Sequence, residues 1–221
     1  MGKYLIIGCG HFGSRAAEQL LEKDPKSKII IVDKKREAIE RVSHLPIETV
    51  FSDGRDVLNQ FLSEDRPLDF IIPAIPFHLA FEFILARLKP HGARRGKLLP
   101  LPGLPNPILG KTGDLYTSIA DFLCPEDCPE PSIFCTVTRK KRGKPLYKIL
   151  GDLRGPFESR VMISLPLAIG VGGFRPKRLS GLLEDIREEK HRDHPILIST
   201  ASRCHGVTSA LIYTKATNDS E

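Results

Sequence analysis

Hydrophobic and polar positions follow two different periods along this chain. "KYLIIGCG", residues 3–10, is a near-continuous apolar run ending in glycines, the pattern of a strand buried on both faces that feeds a helix. Phe12, Ala16, Ala17, Leu20 and Leu21 then recur at helical spacing, and Pro25 closes the segment. "KIIIVDKK" repeats the strand pattern, and Lys34 to His44 the helical one. A third strand is predicted at Thr49 to Phe51, a helix at Asp56 to Leu62, a fourth strand in "DFIIPAIP" and a helix from Phe77 to Leu88. Four strand and helix pairs in succession predict parallel strands with helices on both faces, joined by right-handed crossovers.

Residues 90–111 break that rhythm. Pro90, Pro100, Pro102, Pro105 and Pro107, with several glycines, read as a linker or a long functional loop, with a weak fifth strand at Lys97 to Leu101. Further on, Val161, Ile163, Leu165, Leu167 and Ile169 alternate as one strand, and Leu179, Leu182, Leu183 and Ile186 mark an amphipathic helix. Two more strands follow at Ile196 to Thr200 and Val207 to Thr214, and the last six residues are expected to fray. This order predicts a smaller α+β unit, or strands that extend the first sheet. The division expected is an N-terminal unit of residues 1–115 and a Cys-containing unit of residues 116–221.

The net charge of +6 and pI near 9.1 are a moderate basic excess. It gathers in Lys89 to Lys97, with Lys89, Arg94, Arg95 and Lys97, and in "RKKRGK", Arg139 to Lys144. Neither run is interleaved with aromatics on which bases could stack, so both read as solvated loops and nucleic acid is not an expected partner. No apolar run approaches the roughly 18 residues that a membrane span needs. The apolar stretch before Cys9, Tyr4 to Ile7, is too short for a lipoprotein signal, and Ile6 stands where myristoylation wants Ser or Thr. A cytoplasmic location is expected. Five cysteines without an export signal argue for reduced thiols or metal ligands over a disulfide framework.

Gly8-Cys9-Gly10-His11-Phe12-Gly13 satisfies G-x-G-x-x-G between a strand and a helix. The first glycine permits the tight turn, the second lets a pyrophosphate approach the backbone, and the third lets helix and strand pack closely. The helix start offers free N–H groups and its positive dipole end. Asp33 ends the second strand twenty residues beyond Gly13, where a carboxylate would accept from ribose hydroxyls. These features predict a Rossmann-like, doubly wound parallel sheet that binds a dinucleotide or adenine nucleotide. Gly8, Gly10, His11, Phe12, Gly13, Asp33 and Lys34 are the expected contacts. Asp33 favours NAD(H), while Lys34, Lys35 and Arg36 keep NADP as the alternative. Cys9 is expected to pack as a small side chain near the cofactor.

"LCPEDCPEPSIFC" carries Cys124, Cys128 and Cys135 in a C-x3-C-x6-C spacing, and Cys204-His205 follows. Cys124, Cys128, Cys135 and Cys204, with His205 able to replace the fourth, are the expected ligands of a 4Fe-4S cluster or a zinc ion. Unligated thiols are the competing reading, since the spacing matches no standard signature. Glu126, Asp127 and Glu130 are expected to be solvated turn residues. "LGKTGD", residues 109–114, lacks the first glycine and the preceding strand of a phosphate loop. "IGVGGFRP", with Gly170, Gly172, Gly173, Arg175 and Lys177, reads as a strand-to-helix turn, with anion binding as the alternative.

"YLIIGCGHFGSRAAEQL", "IIIVDKKREAIERV" and "VFSDGRDVLNQF" together resemble the N-terminal domain of regulator-of-potassium-conductance and Trk-type potassium-uptake proteins, over about residues 3 to 65. The Ser52-Asp53-Gly54-Arg55-Asp56 turn stands where that family has a Gly-Asp-Ala-Thr-like turn. The resemblance implies a domain that senses NAD(H) or adenine nucleotides, often as a homodimer, and in that family the process regulated is potassium transport. "DFIIPAIPFHLAFEF" is also similar to the saccharopine-dehydrogenase type of domain. That keeps open an NAD(P)-dependent oxidoreductase with a small substrate between the units. The leading expectation is a nucleotide-binding protein with a cysteine-ligated metal, acting in redox or nucleotide sensing or in electron transfer.

Overall fold

The computed structural model describes residues 1–98, 101–188 and 194–213. Strand β1 (Lys3–Ile7), helix α1 (His11–Lys23), β2 (Lys28–Asp33), α2 (Arg36–Glu40), β3 (Glu48–Phe51), α3 (Gly54–Ser63), β4 (Phe70–Pro73) and α4 (Leu79–Leu88) alternate as the periodicity predicts. The four strands form a parallel sheet in the order β3-β2-β1-β4, with Ile6 paired to Ile31 on one side and Ile72 on the other. Strand order reverses between β1 and β4, and such a reversal opens a crevice at the carboxyl ends of the strands. Gly8, Asp33 and Ala74 stand at those ends.

Several boundaries differ from the sequence expectation for local reasons. Helix α2 spans Arg36 to Glu40 and not Lys34 to His44, because Val42 and Ser43 donate three residues back, to Ile39 and Glu40, and the chain leaves the helix before Pro46. Helix α3 starts two residues early because the Asp53 carboxylate accepts from Arg55 N at its N-cap.

The chain continues through a 3₁₀ turn (Lys89–His91), β5 (Ala93–Arg95), β6 (Ile108–Leu109), β7 (Leu115–Ser118), α5 (Leu146–Gly151), β8 (Glu158–Ile163), β9 (Leu165–Ala168), β10 (Val171–Gly173), α6 (Pro176–Glu188), β11 (Ile196–Ala201) and β12 (His205–Tyr213). A second sheet runs β6-β7-β12-β11-β8, with β5 also paired to β12. Of the weak strand expected at Lys97 to Leu101, residues 99 and 100 lie outside the described residues, as do Thr214 and the last six residues. The strand observed nearby is β5, paired antiparallel to β12 through Arg95 and Leu211.

The single strand expected from Val161 to Ile169 is two. Ser164 N still donates to Ala201 O at the end of the β8 ladder, after which the chain leaves the second sheet and β9 forms a hairpin with β10. Pro166 lacks an N–H, as suits a strand at a sheet edge. The hairpin carries β10 to the bare edge of β4. Ile71 and Phe174 exchange both backbone hydrogen bonds there, at 2.8 and 3.0 Å. A Cβ on Gly173 would lie 2.7 Å from Ile71 O, so the glycine is what permits the approach. "IGVGGFRP" is thus a hairpin turn and a close strand contact, and Arg175 stacks over the Phe70 ring at 4.8 Å.

Helix α4 lies between the two sheets and buries Leu79, Ala80, Phe81, Phe83, Ile84 and Leu88, as a helix apolar nearly all round must. One hydrophobic core therefore runs from Leu5 and Ile7 of β1, through Phe81, to Leu183 of α6 and Ile198 and Leu211 of the second sheet. The opposite face of the first sheet is covered by α1, α2 and the β9–β10 hairpin, through Ala17, Leu20, Leu167 and Val171.

Candidate functional site

The glycine loop begins where β1 ends. Gly8 holds φ at +102°, and a Cβ there would lie 2.4 Å from Ala74 O, so only glycine suits the turn. A Cβ on Gly13 would lie 1.9 Å from Gly8 O, which is the close packing of helix on strand. Gly10 is different: it is exposed, and nothing stands within 4 Å of an added Cβ. Its open side lies at the N-cap of α1, where no side chain caps the helix and the first turn holds no acidic residue. The free N–H groups and the positive helix end are therefore available to an anion.

Asp33 ends β2 beside this loop. Its Oδ2 accepts from Cys9 N and its Oδ1 from Lys35 N, both at 2.8 Å. A carboxylate offers about four acceptor positions, so two remain for ribose hydroxyls. Lys34 is exposed next to it, and Arg36 stacks over the Phe51 ring at 5.1 Å. Cys9 is buried, with its Sγ donating to Ala38 O at 3.1 Å, and burial raises its thiol pKa to about 11. The open Gly10, the glycines packed on either side of it and the half-buried Asp33 fit the pyrophosphate and ribose of a dinucleotide, which would supply two negative charges and a pair of hydroxyls to these groups.

His11 and Phe12 both face outward. Phe12 is 65% exposed and forms one rim of a cleft of about 1170 Å³ between α1 and the C-terminal region. The His11 Nε2 lies 2.9 and 3.0 Å from the two carboxylate oxygens of Glu126. Glu126 is an exposed turn residue, as expected, and its carboxylate also touches the glycine loop.

Cys124, Cys128, Cys135, Cys204 and His205 line the same cleft. Among the described residues, however, no three His, Cys, Asp or Glu side chains gather closely enough to hold a metal ion. No such cluster stands behind the metal centre expected on Cys124, Cys128, Cys135, Cys204 and His205, and two of the thiols have other partners. Cys204 is buried and accepts from Arg142 Nη1, while its backbone N–H donates to Glu130 Oε1 at 2.9 Å. His205 is exposed, and its backbone N–H donates to Ser202 Oγ at 3.2 Å. Cys128 Sγ lies 3.3 Å from Thr136 Oγ1. Glu130 is also bound by Ser202 Oγ at 2.5 Å, so it too is a structural acceptor and not a solvated turn residue.

The thiols differ electrostatically. Burial pushes Cys204 up to about 11, with the Arg142 guanidinium opposing it. Burial, and then the charges of Cys128 and Cys135, raise Cys124. Cys135 goes the other way, to about 7, because the Thr138 N–H, the Thr138 hydroxyl and the Val137 N–H stabilise its thiolate.

A buried polar chain, invisible to any local motif, ties the N-terminal half to the second sheet. His78, at the N-cap of α4, bonds Ser209 Oγ through Nδ1 and Thr200 Oγ1 through Nε2, each at 2.8 Å. Ser209 Oγ donates to Asp114, which also accepts from Thr112 Oγ1 at 2.6 Å and Arg95 Nη1 at 2.7 Å. Arg95 bridges on to Glu82 of α4. Arg95 was expected in a solvated basic run, and it is instead a half-buried brace. "LGKTGD" is the β6–β7 turn that delivers Asp114, closed by Gly110 N to Asp114 O at 2.8 Å.

No helix among the described residues is long and apolar enough to cross a membrane. Residues 4–61 match the TrkA-N domain, in keeping with the Rossmann-like four-stranded parallel sheet they form. Residues 80–214 match a family described as "Uncharacterized protein, C-terminal domain". A relative from Archaeoglobus fulgidus (strain ATCC 49558 / DSM 4304 / JCM 9628 / NBRC 100126 / VC-16), described as "Uncharacterized protein", is 27% identical over 221 residues, covering 94% of this chain and 98% of the relative. Since the C-terminal match alone spans more than half of the chain, the protein belongs to the family defined by that C-terminal domain, here joined to a TrkA-N domain.

Proposed function

We propose that this chain is an NAD(H)-responsive sensor, with the pyrophosphate on the Gly8 to Gly13 loop, a ribose on Asp33 and the C-terminal region as the responding part. The observation that carries the reading is Gly10. It is open on the side where phosphate would approach, while its neighbours Gly8 and Gly13 are closed by backbone within 2.4 Å of an added Cβ. An exposed glycine at an uncapped helix start leaves the backbone N–H groups there open to a phosphate. Asp33 selects NAD(H), because its charge would repel a 2′-phosphate. The direct test is a calorimetric titration with NADH, NAD, NADPH and ATP. Micromolar NADH binding that exceeds NADPH binding is expected, and failure of every nucleotide at millimolar concentration would discard the proposal.

A second reading is favoured by the cleft of about 1170 Å³ that opens beside Phe12. A small substrate bound there would make the protein an NAD(P)-dependent oxidoreductase. Steady-state oxidation of NAD(P)H with keto or imino acids tests it, and absence of turnover in protein that binds NADH returns the assignment to sensing.

A further inference from the structure

The contact between His11 and Glu126 joins the nucleotide loop to the cysteine-bearing segment across 115 residues of chain. His11 is the first residue of α1, directly after the uncapped Gly10. The Glu126 carboxylate thus holds the ring of the residue that opens the helix, beside and not over the open Gly10, and it presents charge of the same sign as a diphosphate on that loop. The segment around Glu126 is a compact turn, with Cys128 N donating to Pro125 O at 3.1 Å. It rests on the β9–β10 hairpin, where Gly170 takes φ +69° and a Cβ would lie 2.0 Å from Glu126 O. Arg15, one turn further along α1, has a buried Nε with no hydrogen-bond partner, and this atom faces the same Gly170 position at 4.0 Å.

We propose that Glu126 is a displaceable plug on the phosphate end of the glycine loop, so that a dinucleotide diphosphate evicts it and frees the turn that carries Cys124 and Cys128. The proposal rests on the dinucleotide reading above and adds the route by which occupancy reaches the C-terminal region. Three features make the exchange feasible. The carboxylate sits on the first residue of the helix whose positive end would hold the diphosphate, so a diphosphate on the loop would repel it and draw the His11 ring away from it. The ion pair is exposed, with 65% and 49% of its side chains accessible, and exposed pairs are weak enough to be displaced. The flanking prolines, Pro125 and Pro129, stiffen the turn so that it moves as a unit, taking the two cysteines with it.

The test uses the full chain, with NADH as the probe, in two measurements on wild type and Glu126→Gln. Calorimetry gives the NADH affinity, and mass spectrometry of maleimide-labelled peptides gives the alkylation rates of Cys124 and Cys128. The quantity read is the ratio of rates with and without NADH, which cancels any direct effect of the lost charge on the thiols. In wild type, NADH should raise the rates severalfold. Glu126→Gln should bind NADH roughly fivefold more tightly, the scale of one lost exposed charge contact, and its ratio should fall to about one. NADH binding by the variant alone also supports the plug. Equal affinities with unchanged ratios, or alkylation slowed by NADH in wild type, overturn the plug and leave the dinucleotide reading standing. Absence of NADH binding in both proteins overturns both.

Discussion

The Nδ1 of His78 lies 2.8 Å from the Oγ of Ser209, across 131 residues of sequence, and both side chains are buried. This bond anchors the N-terminus of α4, directly behind the Ala74 to Phe77 segment that encloses Gly8, to a strand of the second sheet. Two halves with different periodicities are thereby held at a fixed spacing.

That anchor makes stability depend on pH. Burial lowers the His78 pKa from 6.5 to about 3. The unfolded chain binds the proton first as pH falls, so the full stability is present above about 6.5 and is lost progressively between 6.5 and 3. Wild type should lose about 2 kcal/mol of unfolding free energy between pH 6.5 and 5 from this group. His78→Gln should start lower but show a flatter profile in urea melts at the same two pH values. Equal slopes would remove His78 as the titrating group.

Asp114 is fully buried, and its hydrogen bonds from Ser209, Thr112 and Arg95 outweigh the cost of burial and hold its carboxyl below the usual range. Asp114→Ala should cost about 3 kcal/mol, the lower end for a broken buried pair, because Arg95 keeps Glu82 and some water. Chemical denaturation measures it. A loss under about 1 kcal/mol would show that the network is not a brace.

The glycine loop separates binding from folding. Gly10→Val meets open space, so the melting temperature should stay within about 2 °C while NADH affinity falls at least tenfold. Gly13→Ala, by contrast, would place a Cβ 1.9 Å from Gly8 O and should lower stability by about 2 kcal/mol or more. Thermal melts alongside NADH titrations distinguish the two effects, and retained NADH affinity in Gly10→Val would argue against phosphate binding at this loop.

Cofactor preference should turn on one charge. Asp33→Ser removes the repulsion of a 2′-phosphate and leaves Lys34 and Lys35 beside it, so the NADPH to NADH affinity ratio should rise by about tenfold or more. Competition titrations read the ratio directly.

Thiol reactivity should rank by electrostatics. With its pKa near 7, Cys135 should react first with a small disulfide reagent at neutral pH, its rate rising through a midpoint near 7. Cys9 and Cys204, near 11 and buried, should react only on unfolding. Peptide mapping of a time course gives the order.

The nucleotide half was legible in the sequence because its signals are local. Apolar runs, helical spacing, three glycines and one carboxylate lie within residues 3 to 33, and each acts on its near neighbours. The C-terminal half was less so. Strands β5, β6 and β7 are short and lack periodicity; β5 and β7 become strands on the edge that β12 offers, and β6 on β7. The cysteine spacing was equally visible, but the sequence could not say whether its thiols meet around one ion, and among the described residues they do not.

The sequence by itself determined a strand, a glycine turn and a helix with a carboxylate at the neighbouring strand end, since backbone freedom at Gly8 and charge at Asp33 are properties of those residues. Only the tertiary structure decided that Glu126 stands against His11, that Asp114 and Arg95 meet in the interior, and that β10 closes the edge of β4. These contacts join residues from 19 to more than 100 positions apart. Such pairings arise from the burial of a shared core and leave no trace in the spacing of neighbouring residues.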